Sequence, residues 1–215
     1  MAESYRFTWQ GGTGEIVEKK SRFIAHTLPV TSEEEAVAFL NKIKKEYWDA
    51  RHNCHAYTIG KNNECTRCSD DGEPSGTAGR PILDVLLREG IHNCIVVVTR
   101  YFGGTLLGTG GLVRAYQAAT QAGLAASTII EKQFGHKLHV TTDYNGIGKL
   151  QYLVAQNQIF TLDTQYADNV TLDLMVPEEK FKDFCVQITE ATSGRAIMDS
   201  EDLEEFGIVD GEIIF

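Results

Sequence analysis

The succession of strand and helix patterns in the last third of the chain leaves few folds open to it. Six segments follow as strand, helix, strand, strand, helix and strand, at residues 136–142, 145–156, 158–165, 169–176, 177–192 and from about 195. Pro177 suits the first turn of its helix, and Ser193 and Gly194 end that helix. The order β-α-β-β-α-β is the split βαβ, or ferredoxin-like, pattern. The acidic residues 201–205 are predicted to form a solvated surface.

The first two thirds of the chain also mixes strand and helix patterns, so the whole protein is predicted to be α+β. Strand patterns lie at residues 14–20, 22–28, 52–59 and 94–98, and helix patterns at residues 36–47, 82–87 and 111–126. Ser32 and Glu35 have the spacing of a capping box, which predicts where the first helix begins. A polar stretch without periodicity, residues 69–79, is typical of a functional or mobile loop.

Charge is distributed unevenly along the chain. Residues 1–133 hold 15 Lys and Arg against 15 Asp and Glu, whereas residues 134–215 hold 5 against 15. The whole net charge of −10 therefore falls in the last third. We predict a first domain of residues 1–133 and an acidic domain of residues 134–215, which repels nucleic acid and membrane surfaces. Any contact with an anion is expected in the first domain.

The sequence also carries signals of compartment. No apolar run approaches the roughly 18–20 residues that cross a bilayer, and the first residues lack a signal-peptide pattern. The five cysteines are an odd number in a chain too large to need disulfide staples, so they are expected to be reduced thiols. These features predict a cytoplasmic protein without a membrane partner. They leave the oligomeric state open.

The sharpest motif is the glycine-rich segment 100–111, which follows an apolar strand and precedes a helix. Glycines let the backbone approach a ligand closely, and free amides at a helix start attract anions. The segment lacks the lysine of a Walker loop and the G-x-G-x-x-G spacing. Two interpretations stay open, a phosphate-binding loop and a tight connection that packs a helix onto a sheet. The candidate ligand-binding residues are Arg100, Tyr101, Gly103, Gly104, Gly108, Gly110, Gly111 and Arg114.

The polar loop carries a second candidate site, made of closely spaced acidic and hydroxyl side chains. Three carboxylates within four positions are suited to bind Mg²⁺ or to orient a water, although the EF-hand spacing is absent. The alternative is a turn-rich surface loop whose side chains cap the next helix. The candidate residues are Asp70, Asp71, Glu73, Ser75, Thr77 and Arg80.

A third set combines histidines and cysteines of one strand with Cys65 and Cys68, which have C-x-x-C spacing. The set fits a zinc site or a redox pair, but one C-x-x-C is a weak signal and structural thiols are the default interpretation. On a strand, His52 and Cys54 share one face and His55 lies on the other, which argues against a common site. No motif with an activated nucleophile is present, so no catalytic residue and no cofactor is assigned.

Several segments together closely resemble the Impact family in its bacterial, YigZ-like form. They are residues 19–24 (KKSRFI), 52–56 (HNCHA), 69–79 (SDDGEPSGTAG), 81–83 (PIL) and 100–116 (RYFGGTLLGTGGLVRAY). The resemblance implies a first domain like the second domain of a ribosomal small-subunit protein and domain IV of elongation factor G, with a left-handed βαβ crossover. It implies a second domain like domain V of that factor. Eukaryotic members of the family regulate translation under amino-acid starvation, and no catalytic residues follow from the resemblance.

These observations support two functions of different classes. The first is a non-enzymatic regulator of translation that binds RNA, the ribosome or a translation-factor partner through the first domain. The second is an enzyme or binding protein for a phosphorylated or nucleotide-like small molecule, held by the glycine-rich and acidic loops. We further predict that residues 1–133 carry any affinity for RNA and that residues 134–215 carry none.

Overall fold

A computed structural model of the chain describes residues 5–209 and 212–215. These residues form a mixed α+β structure with five helices and two sheets. The chain divides into two compact units, the first covering Tyr5–Ile130 and the second beginning at Glu131. None of the helices in the described ranges is long and apolar enough to cross a membrane.

The first unit is built on an antiparallel sheet of five strands. Its elements are β1 (Tyr5–Gln10), β2 (Thr13–Glu18), β3 (Ser21–Pro29), α1 (Glu33–Glu46), β4 (His52–Ile59), β5 (Cys65–Ser69), α2 (Gly79–Arg88), β6 (Ile91–His92), β7 (Cys94–Tyr101) and α3 (Thr109–Ala125). The strand order is β2-β3-β7-β4-β5, and every neighbouring pair runs antiparallel. The short strands β1 and β6 pair in parallel.

The central strand β7 explains why helices cover both faces of this sheet. Because strand side chains alternate between faces, its apolar run at residues 94–98 must be buried on both sides. Val96 and Val98 pack in the cluster that contains residues of α2 and α3, whereas Ile95 and Val97 pack with residues of α1. The buried strand predicted at residues 94–98 is confirmed.

Helix α1 begins as the capping-box spacing predicts. The Ser32 hydroxyl accepts a hydrogen bond from the Glu35 amide at 3.2 Å. The Glu35 carboxylate accepts a reciprocal bond from the Thr31 amide at 2.7 Å, one residue earlier than in the standard box. Three glutamates in the first turn face the positive end of the helix.

The second unit begins within the long strand β8, which starts three residues before Glu131. Helices and strands then follow in the order that the sequence predicts. Its elements are β8 (Thr128–Thr142), α4 (Ile147–Asn157), β9 (Phe160–Tyr166), β10 (Val170–Pro177), α5 (Glu178–Thr192), β11 (Ile197–Val209) and β12 (Glu212–Ile214). The strands lie in the order β9-β10-β8-β11-β12, with antiparallel neighbours. Leu138 and Leu174 pack against Leu150 of α4 and Phe184 of α5. The first six elements follow the β-α-β-β-α-β order read from the sequence.

Two polar segments belong to strands, which their local sequence did not predict. The acidic residues 201–205 belong to β11, where Leu203 pairs with His136 of β8, while residues 201–203 are exposed as expected of a solvated surface. The cysteines with C-x-x-C spacing lie in β5, whose Cys65 pairs with Ile59. In both cases pairing with a neighbouring strand overrides a polar local sequence.

Candidate functional site

The glycine-rich and acidic segments meet at one buried ion pair. The Arg100 guanidinium at the end of β7 donates to Glu73 Oε1 at 2.7 Å, with side chains only 8% and 3% exposed. The Tyr116 hydroxyl of α3 donates to the same carboxylate oxygen at 2.8 Å. The sequence hypothesis placed the charge of Arg100 on a ligand. The structure instead uses it to hold the two loops and α3 together.

Aromatic rings and a thiol close this cluster on its inner side. The Phe23 ring packs edge-on against Tyr116, with centroids 5.1 Å apart, and the Arg100 guanidinium lies 5.4 Å from the Phe23 centroid. The Cys54 thiol donates to the Asp70 carbonyl at 2.9 Å, and it lies 3.3 Å from the Tyr116 hydroxyl oxygen. Burial raises the pKa of Cys54 to about 12, so this thiol stays protonated and is a poor nucleophile.

Asp70 organises the acidic loop from within. Its carboxylate accepts hydrogen bonds from the amides of Gly76 at 2.8 Å, Ala78 at 3.0 Å and Gly79 at 2.8 Å. Burial acts to raise the pKa of Asp70, but the three amide bonds outweigh it and the pKa falls below its usual value. Asp70 therefore shapes the loop and caps the start of α2, as the second interpretation of this loop proposed.

The remaining residues of the acidic loop are also bound to the protein. Asp71 accepts a hydrogen bond from Lys44 Nζ at 2.7 Å and another from the Asn53 amide at 2.7 Å. Thr77 donates to the Pro74 carbonyl at 2.6 Å, whereas Ser75 is exposed. Each carboxylate thus has different protein partners. Across the described ranges no group of three or more His, Cys, Asp or Glu is placed to hold a metal ion.

The histidine and cysteine set is split between the two faces of the sheet. Cys68 pairs with Ala56 and Cys65 with Ile59, and these partners belong to cores on opposite faces. The Cys65 thiol lies 3.2 Å from Glu33 Oε1 on the α1 side, whereas Cys54 faces α3. This arrangement separates Cys65 from Cys54 and Cys68, so the three thiols do not form one site.

The glycine-rich segment opens onto the surface at the start of α3. Gly108 has a φ of +71°, which favours glycine, and no side chain caps the helix there. Gly104, Gly108 and Gly110 are exposed, so the first amides of a 17-residue helix lie at the surface. The Arg114 side chain folds back over them, with Nη1 3.5 Å from the point where a Cβ on Gly110 would stand.

A lysine pair joins this surface, although it was absent from the candidate residues. Lys19 and Lys20 have φ values of 47° and 67° and form the two-residue turn between β2 and β3. Gly103 packs directly on the backbone of Lys20 and donates its amide to Ser21 Oγ at 3.1 Å; a Cβ on Gly103 would collide with that backbone. The strand pattern at residues 14–20 runs through this pair, whereas β2 ends at Glu18. No signal in the sequence marks the turn, because Lys-Lys is not one of the residue pairs typical of two-residue hairpin turns.

We call this surface the glycine face. It consists of Lys19, Lys20, Gly103, Gly104, Gly108, Gly110, Gly111 and Arg114. In the part of the chain that the structure describes, its lysines and Arg114 form no ion pair with an acidic side chain, and all three are exposed, with Arg114 beside the first turn of α3. Such an arrangement suits an anionic ligand.

Two further candidate residues are occupied by partners. The Arg80 guanidinium forms an ion pair at 2.7 Å with Asp84, one helical turn along α2. The Tyr101 hydroxyl donates to Asp49 Oδ1 at 2.7 Å, and this bond raises the pKa of Tyr101 to about 12. Neither side chain belongs to the glycine face.

Comparison with known proteins identifies relatives along most of the chain. The Impact N-terminal domain model matches residues 19–124, and a model described as a domain of unknown function, DUF1949, matches residues 140–195. The IMPACT family member YvyE of Bacillus subtilis is 41% identical over 196 residues, which cover 91% of this chain and 90% of YvyE.

A bacterial relative and a solved structure extend the comparison. The IMPACT family member YigZ of Escherichia coli is 34% identical over 178 residues, which cover 82% of this chain and 87% of YigZ. A crystal structure described as that of a hypothetical protein superimposes with a TM-score of 0.58 and 31% identity, covering 94% of this chain and 99% of the other. The similarity therefore extends over both units.

Proposed function

The chain belongs to the Impact family, and we propose that it is a non-enzymatic protein of translation that contacts RNA, alone or in the ribosome, through the first unit. The observation that supports this proposal is the glycine face. Its three exposed cations have no acidic partner among the described residues; Arg114 belongs to the start of α3, and the lysine turn contacts Gly103, which leads into that helix. Phosphate oxygens accept hydrogen bonds from backbone amides at helix starts and from Lys and Arg, which makes a nucleic-acid backbone a fitting ligand.

The distribution of charge supports the first unit as the RNA-binding part. Residues 134–215 hold 15 acidic against 5 basic side chains, so a polyanion that approaches them is repelled. Residues 1–133 are neutral in sum, and three of their 15 cations belong to the glycine face. Resemblance of the two domains to domains IV and V of elongation factor G points to the ribosome, as an argument from likeness of fold.

Salt-dependent co-sedimentation with ribosomes and filter binding of RNA test this proposal. We expect the triple variant Lys19→Ala/Lys20→Ala/Arg114→Ala to bind more weakly, with a shallower dependence of affinity on salt. Each lost phosphate contact should lower the logarithmic salt slope by about 0.7–0.9. Arg80→Ala is the matched control, because Arg80 is exposed but already paired with Asp84. A triple variant that binds as wild type would overturn the role of the glycine face.

The alternative ligand is a phosphorylated small molecule, and the uncapped start of α3 favours it. The three carboxylates proposed to hold Mg²⁺ are bound instead to Arg100, Lys44 and backbone amides. The proposal of a small-molecule ligand therefore rests on the start of α3 and does not include Mg²⁺. Thermal-shift measurement with a set of nucleotides separates the two ideas. A ligand at a hundredfold excess over its Kd should stabilise the protein by about 2.7 kcal/mol. No stabilisation by any nucleotide would exclude this alternative for those compounds.

A further inference from the structure

Two large aromatic side chains stand exposed on either side of one hydrogen bond. Trp48 is 82% exposed and Phe102 is 57% exposed, although side chains of this size are usually buried for the most part. The bond between the Tyr101 hydroxyl and Asp49 joins the end of β7 to the turn that follows α1. Trp48 immediately precedes Asp49, and Phe102 immediately follows Tyr101. The two residues therefore lie at one edge of the first unit, where α1 and β7 end, with Trp48 following α1 and the Phe102 ring lying over Arg100 on the α3 side.

Backbone contacts hold both segments in place. After α1, the Tyr47 amide donates to the Ile43 carbonyl at 2.8 Å, and the Ala50 amide donates to the Tyr47 carbonyl at 3.0 Å, so a defined turn carries Trp48. On the other side, the Arg100 guanidinium lies 5.7 Å from the Phe102 centroid, and the bond from Gly103 to Ser21 fixes the next residue. Exposed rings on fixed backbone lose little conformational freedom when a ligand packs on them.

Two of the acidic groups near this edge are already engaged, and a third, Glu46, is exposed at the end of α1. Asp49 accepts the Tyr101 hydroxyl, and Glu15 accepts two hydrogen bonds from Arg22, at 2.6 and 2.8 Å. Arg22 is the residue that pairs with Tyr101 across β3 and β7. The lysine turn of the glycine face, Lys19 and Lys20, lies at the start of β3. It reaches the end of β7 because Gly103 packs on the backbone of Lys20. Phe102, Gly103 and the lysine turn are thus neighbours at this edge.

We propose that this edge binds single-stranded RNA, with bases stacked on Trp48 and Phe102 and the adjoining phosphates on the lysine turn. The proposal rests on the proposed function for its phosphate contacts and adds the class of RNA and the groups that contact bases. Stacking on aromatic side chains requires bases that are not already stacked in a duplex, so single strands are preferred over double strands. Stacking reads no hydrogen-bond pattern, so the preference among base sequences is weak.

The tryptophans of this chain allow a direct test. The chain has two, and Trp9→Phe leaves Trp48 as the single fluorescent indole. We expect a single-stranded oligoadenylate of about 12 nucleotides to quench Trp48 fluorescence on titration, and a duplex of the same length to leave it unchanged. Trp48→Ala and Phe102→Ala should each weaken binding of the fluorescein-labelled oligonucleotide by about tenfold, with an unchanged salt slope.

Matched controls separate stacking from phosphate contact. Tyr152→Ala removes a comparably exposed aromatic ring from α4 and should leave affinity unchanged. Salt-dependent binding without quenching, and with Trp48→Ala and Phe102→Ala equal to wild type, would overturn the stacking proposal and leave the glycine face standing. Absence of binding by wild type at low salt to both the oligonucleotide and ribosomes would overturn both proposals.

Discussion

Glu73 and Arg100 lie 27 residues apart in two different loop segments, and their side chains form one buried ion pair of 2.7 Å. Tyr116 of α3 donates a second hydrogen bond to the same carboxylate oxygen. Removing one member of a buried pair leaves a charge without compensation, which costs far more than losing an exposed pair. The buried cluster therefore fixes the positions of the two segments that meet at it. Its residues are positioning residues, because they are buried and do not contact a ligand at the surface.

Loss of Arg100 should accordingly destabilise the fold. We expect Arg100→Ala to lower the free energy of unfolding by about 3–5 kcal/mol, because Glu73 stays buried without its cation. The double variant Arg100→Met/Glu73→Gln should recover part of this loss, since neither of its two new side chains buries a charge. Urea unfolding followed by tryptophan fluorescence measures both variants. Arg80→Ala, which breaks the exposed pair with Asp84, should change stability by less than about 1 kcal/mol.

A result near zero for Arg100→Ala would contradict this role. It would show that the buried Glu73 carboxylate does not depend on the Arg100 guanidinium as its partner. Weaker RNA binding by a fully stable Arg100→Ala variant would instead place Arg100 back among the ligand contacts, as the sequence alone had proposed.

Asp70 should control the order of the acidic loop. Asp70→Ala removes an acceptor from three backbone amides, and bonds to a charged acceptor are each worth about 1.5–3 kcal/mol. We expect faster hydrogen exchange at Gly76, Ala78 and Gly79, measured by NMR, together with lower stability. Ser75→Ala is the control, since Ser75 is exposed in the same loop. Unchanged exchange at these amides would contradict the role of Asp70.

Periodicity predicted the fold where burial follows the local pattern. Strand β7 and helix α1 were identified because apolar spacing and a capping box are visible within a few residues. Strand β5 was missed because its sequence Cys-Thr-Arg-Cys-Ser is polar, and only pairing with β4 makes it a strand. Long-range pairing of this kind leaves no local signal.

The sequence identified the segments that form the candidate site, but it did not predict what the individual residues in them contact. The glycine-rich and acidic segments do meet, yet Arg100, Glu73 and Asp70 are bound to the protein itself. The lysine turn enters the site through contact between Gly103 and Lys20, residues from distant parts of the chain. Residue type and spacing indicate chemistry, whereas burial and the choice of partner depend on the tertiary fold.

The thiols should differ sharply in reactivity. Cys68 is exposed, whereas burial raises the pKa of Cys54 and of Cys94 to about 12 in each case. We expect Cys68 to account for the fastest phase of a DTNB titration of the folded protein, and Cys54 and Cys94 to react only after unfolding. Cys68→Ser should remove the fast phase, which would assign that phase to the Cys68 thiol. Because Cys65 and Cys68 lie on opposite faces, an oxidant should not join them, and a disulfide between them in the folded protein would contradict this register.

Acidification should destabilise the first unit as the pH falls below about 6.5. Burial lowers the pKa of His26 and of His55 in the folded protein. In the unfolded chain these histidines have a pKa of about 6.5, so below that pH the unfolded chain binds more protons than the folded protein. The stability that their neutral forms allow is present above about pH 6.5 and is lost progressively below it. Both tryptophans lie in the first unit, so urea midpoints followed by fluorescence at several pH values report on it.

The second unit should respond to acid in the opposite direction, and this contrast gives the control. Hydrogen bonds to Asp173 and then to Glu201 raise the pKa of His139, so the stability from its charged form is full below about pH 6.5 and is lost as pH rises through the folded value. His26→Gln/His55→Gln should flatten the pH dependence seen by fluorescence, whereas His139→Gln should leave it unchanged. An NMR titration that placed the pKa of His139 below those of His26 and His55 would contradict the predicted signs.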